Sequence, residues 1–114
     1  DDLPGRRSAD PLAGAPSAAS SVRVVEIAGA EGRTPHRHPH SEEIIHVVEG
    51  AGWVWLDGAT YPVRQGDTVH VPAGMAHATI TGSGDRLRLV CFFPHPDLDS
   101  NLEELTLPLT REEP

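Results

Sequence analysis

Lysine is absent from this 114-residue chain, so all nine basic residues are arginine. They form no basic stripe; only Arg6-Arg7 and Arg86/Arg88 stand close together. The formal net charge is −8. A nucleic-acid binder needs a cationic face to neutralise phosphates. An anionic membrane surface attracts basic segments rather than an acidic protein. Neither partner is expected. No apolar run is long enough to span a bilayer. Cysteine occurs once, at Cys91, which rules out an intrachain disulfide. Cys91 sits in Leu89-Val90-Cys91-Phe92-Phe93 and reads as a small buried hydrophobe. A catalytic thiolate would want an electropositive, accessible setting instead. No charged-then-apolar leader pattern precedes the domain, and a cytoplasmic location is expected. The all-arginine basic set, with heavy use of Ala, Gly and Pro, points to a high-GC bacterial genome.

No stretch before residue 97 holds a helical period, and no repeat of solenoid spacing occurs. Residues 1–20 are rich in Pro, Gly, Ala and Ser without hydrophobic alternation. They read as a flexible arm, with a single domain over 21–114. Strand signals then follow in quick succession, each bounded by turn residues. They cover Val22–Ala28, Glu43–Val48, Trp53–Leu56, Tyr61–Val63, Thr68–Val71, His77–Ile80 and Arg86–Phe93. Asp57-Gly58 is a short-hairpin signal. Asp97–Leu105 has room for one short helix, with Ser100 and Glu103 at capping-box spacing. Short strands joined by tight turns predict an all-β barrel or sandwich.

The chain is richest in information at its seven histidines. His36, His38 and His40 alternate along one segment that ends in Glu42-Glu43. On an extended strand the three rings would point to one face. Strict parity would add Glu42 to that face. Glu43 joins it only if an extra residue, a bulge near Pro39 and Ser41, shifts the phase. Spacing alone does not choose between the two glutamates. His77 comes from far along the chain. Gly66-Asp67 and Pro72-Ala73-Gly74 bracket the strand Thr68–Val71 and return the chain so that His77 opens a neighbouring strand. Several imidazoles with one carboxylate are a donor set for a divalent metal ion.

These residues resemble the cupin family over about residues 22–107. His36-Arg37-His38, four residues, Glu43, six residues and Gly50 follow its first motif. Gly66, five residues, Pro72-Ala73-Gly74, two residues and His77 follow its second. The fifteen residues between Gly50 and Gly66 match the spacing of simple one-domain members. Two positions depart: the leading glycine falls at Ala30, and the closing asparagine at Thr81. Neither is a metal ligand in the family. The resemblance implies a single six- to eight-stranded barrel of jelly-roll type, with the short helix or extension read from the C-terminal residues beside it. It also implies metal ligands His36, His38, Glu43 and His77, and so favours Glu43 over Glu42. The metal is divalent: Zn, Fe, Mn, Ni or Cu.

Other residues carry looser expectations. His40 is a spare ligand, a proton carrier or a bystander. His70 is an acid or base only if it faces inward. His46 should face away from Glu43, and His95 should lie at the surface. Trp53 and Trp55 pack or line a cavity, according to which face they share. The expected function is a metal-dependent enzyme acting on a small oxygenated molecule through carbonyl or enolate polarisation, of the aromatic polyketide cyclase or isomerase type. Protons would pass through His40 or His70. A dioxygenase with a redox-active metal is the second reading, and a non-catalytic ligand-binding cupin the third. A homodimer is expected, with Val22–Ala28 as an exposed edge open to pairing.

Overall fold

A computed structural model of the chain describes residues 6–12, 19–28, 35–82, 84–97 and 99–105. In chain order the strands are β1 (Arg6–Ala9), β2 (Ser21–Ala28), β3 (His36–Arg37), β4 (Glu43–Leu56) and β5 (Ala59–Arg64). They continue with β6 (Thr68–Val71), β7 (His77–Ile80), β8 (Arg86–Phe93) and β9 (Glu103–Glu104). Every pairing among them is antiparallel. The long strand β4 belongs to both halves of the sheet. Its first half pairs with β8 and β6, and its second half with β5 and β7. The sheet curls on itself around β4 into an all-β barrel of jelly-roll type.

Alternation along the strands decides which face is inside. In β8, Leu87, Leu89, Cys91 and Phe93 are buried, while Arg86, Arg88 and Phe92 face out. In β2, Val25 and Ile27 join them, and Ile45, Val47 and Val54 come from β4. Together with Val63 and Val71 these form one core, and Cys91 is part of it. The turn chemistry holds as well. Asp57 and Gly58 both have positive φ, +45° and +101°, and join Leu56 to its partner Ala59. Two positive values in succession give a turn whose twist matches the strands.

Several expectations change. Glu43–Val48 and Trp53–Leu56 are one continuous strand. A register shift between Val47 and Glu49 and the positive φ of Gly50 (+95°) bend that strand rather than end it. A Cβ at Gly50 would lie 1.9 Å from the Arg86 carbonyl oxygen, so the bend needs glycine. Within the expected arm, Arg6–Ala9 is a strand paired with β2. The strand β2 is therefore internal, with β1 on one side and β8 on the other, and is not an exposed edge. The C-terminal segment makes a 3-10 turn at Asp99–Asn101 and then the short β9, rather than an α-helix. β9 pairs with β3, and that pairing outweighs the capping-box signal. Residues 1–5 and 13–18 of the arm lie outside the described residues, as does Ala30. No helix among the described residues is long and apolar enough to cross a membrane.

Candidate metal centre

Four side chains meet inside the barrel. His36 lies on β3 directly opposite His77, the first residue of β7. Glu43 is the first residue of β4. His38 follows β3 by one residue. The chain between His38 and Glu43 is a turn at Pro39-His40 and a bend at Ser41, not a strand carrying a bulge. That turn still does what the bulge was expected to do. Glu43 is buried at 4 % exposure, and Glu42 stays at the surface. One ligand atom from each of His36, His38, Glu43 and His77 lies within 4.8 Å of the others. Ring centroids are 4.3 Å apart for His36 and His77, and about 5 Å for His36–His38 and His38–His77, at 5.1 and 5.2 Å.

The hydrogen bonds at the rim of the cluster fix the tautomers. His38 Nδ1 lies 2.7 Å from the Asn101 carbonyl oxygen, and His77 Nδ1 lies 2.9 Å from the Met75 carbonyl oxygen. A carbonyl only accepts, so each Nδ1 carries the proton and each neutral ring turns the Nε2 lone pair inward. Glu43 Oε1 is 2.7 Å from His77 Nε2 and 3.3 Å from His38 Nε2. Those three atoms are buried and make no aligned hydrogen bond. With both rings neutral, three buried acceptors face one another and repel; a cation among them, or a proton on His77 Nε2 beside the carboxylate, relieves that repulsion.

Electrostatics report the same crowding. Burial, then the neighbouring His77 charge, pushes His36 down to about 3. At His77 burial works in the same direction, but the adjacent Glu43 carboxylate prevails and raises it. At Glu43 burial would raise the carboxyl, yet the two imidazoles beside it hold it well below the usual range. Burial, with Glu43 close by, pushes the Cys91 thiol up, so it stays neutral. Two imidazole nitrogens whose protons sit on the far side, a third imidazole and one ionised carboxylate fit a divalent metal ion of borderline softness.

The other histidines lie outside this group. In β6, Val71 faces the core, so His70 faces outward, and Nε2 is 2.6 Å from Glu42 at the surface. The inward orientation on which its role as acid or base depended does not occur. His40 is exposed, and its ring stacks on His95 with centroids 5.7 Å apart. The turn that delivers Glu43 swings His40 off the face that a straight strand would have given it. His46 is exposed and bonded to Thr68, on the side away from Glu43 as expected. Val54 is fully buried in the core, so its neighbours Trp53 and Trp55 take the opposite face of β4 and do not line the interior.

Sequence reasoning missed Asn101. It is fully buried. Its carbonyl accepts from His38, its Oδ1 accepts the His40 backbone N–H at 2.8 Å, and its Nδ2 donates to Ser41 Oγ at 2.8 Å. One residue thus holds the whole turn from His38 to Ser41. Gly74 N–H donates to the His38 carbonyl at 2.9 Å, which ties the second motif to the first.

A family model described as a cupin domain matches residues 23–93. The chain belongs to the cupin family. Among curated proteins, this cupin is 36% identical to Protein SchB of Streptomyces halstedii, over 75% of its own length and 64% of that protein. It is 40% identical over 55 residues to Polyketide synthase CurC of Streptomyces cyaneus, spanning 48% of this chain and 36% of the relative. The chain thus covers less than two thirds of either relative. Among solved structures, its fold matches the polyketide cyclase RemF from Streptomyces resistomycificus, with a TM-score of 0.73 at 23% identity, covering 90% of this chain and 72% of that one.

Proposed function

We propose that this cupin is a metal-dependent enzyme that acts on a small oxygenated organic molecule, of the aromatic polyketide cyclase type. One observation carries the metal dependence: three buried acceptor atoms, His38 Nε2, Glu43 Oε1 and His77 Nε2, converge without hydrogen bonds. His36, His38, Glu43 and His77 would hold the ion. Four protein ligands leave room for one or two more, and a divalent ion there supplies Lewis acidity to polarise a carbonyl and stabilise an enolate. The relatives support the choice of reaction class, since one is named a polyketide synthase and the structural neighbour a polyketide cyclase.

The remaining work falls to the chain itself. The Asn101 and Met75 carbonyls orient two imidazoles, and Phe93 packs edge-on against the His38 ring with centroids 4.6 Å apart. His70 faces outward, and His40 is exposed with its ring stacked on His95, so neither histidine stands at the cluster to transfer a proton. The test starts with elemental analysis of protein purified without added metal. About one divalent ion per chain is expected, removed by a chelator and absent from His77→Ala. An enolisable 1,3-diketone, acetylacetone, should then give an enolate absorption band only with the metal-loaded protein. A loaded protein that leaves the diketone spectrum unchanged argues against this chemistry. Diketone-dependent oxygen consumption would favour the dioxygenase reading instead.

A further inference from the structure

The short strand β1 places charge where a barrel interior normally holds apolar side chains. Arg6 pairs with Ile27 and Ser8 with Val25, and directly paired residues share a face. Ile27 and Val25 are core residues at 1 % and 2 % exposure, so Arg6 and Ser8 point inward with them. Arg23 pairs with the buried Cys91 and faces inward by the same rule. Two arginines thus enter the barrel from adjacent strands. Arg23 has its own counter-ion: its Nε lies 2.8 Å from Asp10 Oδ1. Arg6 has none. It is partly buried, and among the described residues its guanidinium has no hydrogen bond or ion pair. Its charge is nevertheless felt at Glu43, Cys91 and Glu104, and also at His36. It therefore lies within electrostatic range of two of the four candidate ligands.

Partly burying a guanidinium beside a second guanidinium, without a carboxylate in contact, costs free energy that folding alone does not recover. Burial and Arg23 both press the Arg6 charge toward its neutral form. The charges leave an excess of one sign. A divalent ion exceeds the single negative charge of Glu43, Arg23 and Asp10 cancel, and Arg6 adds a further positive charge. Such an interior favours a guest that brings negative charge of its own.

We propose that Arg6, backed by Arg23, is an oxyanion-recognising group on the inner face of the barrel, and that the substrate carries a carboxylate or an ionised phenol or enol which docks on the Arg6 guanidinium. This rests on the metal-enzyme reading above, because it places the rest of the same molecule at the His36–His38–Glu43–His77 group. Asp10 acts as a positioning residue that holds Arg23 back from the anion. A guanidinium presents planar paired donors that suit an oxyanion better than an ammonium does.

The test uses the zinc-loaded chain and two probes, salicylate and its neutral amide salicylamide, titrated calorimetrically. Wild-type protein should prefer salicylate. Arg6→Gln should weaken salicylate by about tenfold or more, as expected for a lost charge-assisted hydrogen bond, and leave salicylamide unchanged. Arg6→Lys should recover part of the loss. Asp10→Asn should strengthen salicylate about threefold by releasing Arg23, and it decides the matter should Arg6→Gln fail to fold. Salicylate affinity unaltered in both Arg6→Gln and Asp10→Asn, or no preference for salicylate in the wild type, overturns the proposal. Zinc content, measured on the same samples, separates the two readings. Stoichiometric zinc with no Arg6 effect removes this inference alone. No zinc, but an Arg6-dependent preference for salicylate, removes the metal reading and keeps the anion site.

Discussion

Replacing Asn101 by alanine should loosen the metal centre without touching a ligand. The side chain makes two hydrogen bonds, from the His40 N–H and to Ser41 Oγ, both at 2.8 Å. Each is worth about 1 kcal/mol net, and a buried partner left unpaired costs more. Truncation also opens a small void at a position with no exposure. A loss of about 2–3 kcal/mol follows, on the order of 10 °C in melting temperature for a domain of this size. The second effect is on the metal. The Asn101 carbonyl accepts from His38 Nδ1 at 2.7 Å, and it stays in place only while its own side chain pins the turn. Loss of such an orienting partner lowers metal affinity by about 10–100-fold. Thermal melts with and without added zinc, together with competition against a coloured chelator, read both effects. Asn101→Ala that melts like the wild type and keeps its zinc affinity would refute the argument. Asn101→Ala that loses stability but binds zinc normally would show that the turn does not control the ligand.

Acid should destabilise the metal-free protein. His36 takes up its proton near 3 in the folded state and near 6.5 unfolded, so stability falls as pH drops below about 6.5. The depressed Glu43 carboxyl adds to that fall once pH passes below its ordinary range. The raised His77 has the opposite sign: its contribution is in place below 6.5 and fades as pH rises through its folded value. Melting temperatures of chelator-treated protein should therefore peak near neutrality, and His36→Asn should flatten the acid side; an unchanged acid side would contradict this. Gly50→Ala should cost at least about 2 kcal/mol, from the positive φ and the 1.9 Å approach to Arg86 O. Gly58→Asn, with no atom near its Cβ position, should cost far less, and urea midpoints compare the two. A homodimer through the outer edge of β1 is expected, since that edge is unpaired among the described residues; sedimentation that finds only monomer refutes it.

Most strands were legible because the signals that set them are local. Thr68–Val71, His77–Ile80 and Arg86–Phe93 begin and end at turn residues, and their alternation names the inner face. The candidate ligand set was legible from the resemblance to the cupin motifs, although the chain path that assembles it was not. Whether Glu42 or Glu43 enters the site depends on how the chain turns at Pro39-His40. That turn is set by Asn101, some sixty residues away in sequence (60 to Ser41 and 61 to His40). His70 was undecidable for a related reason. Its face follows from the pairing of β6 with β4, Val71 opposite Glu43 and His70 opposite Ile44, which no local pattern encodes.

The strand β1 shows the other way in which a sequence hides structure. Arg6-Arg7-Ser8-Ala9 has no apolar alternation, because its inward positions are an arginine and a serine. A strand with polar residues on its inner face looks like a loop to any test based on hydrophobic period. Stability does not ask for that polarity; a valine at position 6 would pack beside Ile27 at less cost. Inward polarity that the core does not need is where a ligand is expected to supply the missing partner. The same reasoning applies at the metal group, where buried acceptors stand without donors. On one side of the interior the unpaired groups are acceptors and ask for a cation. On the side of β1 the unpaired group is a donor and asks for an anion. A substrate that is both an oxygen ligand and an oxyanion answers both at once, so both groups can be tested with one small molecule and its neutral amide.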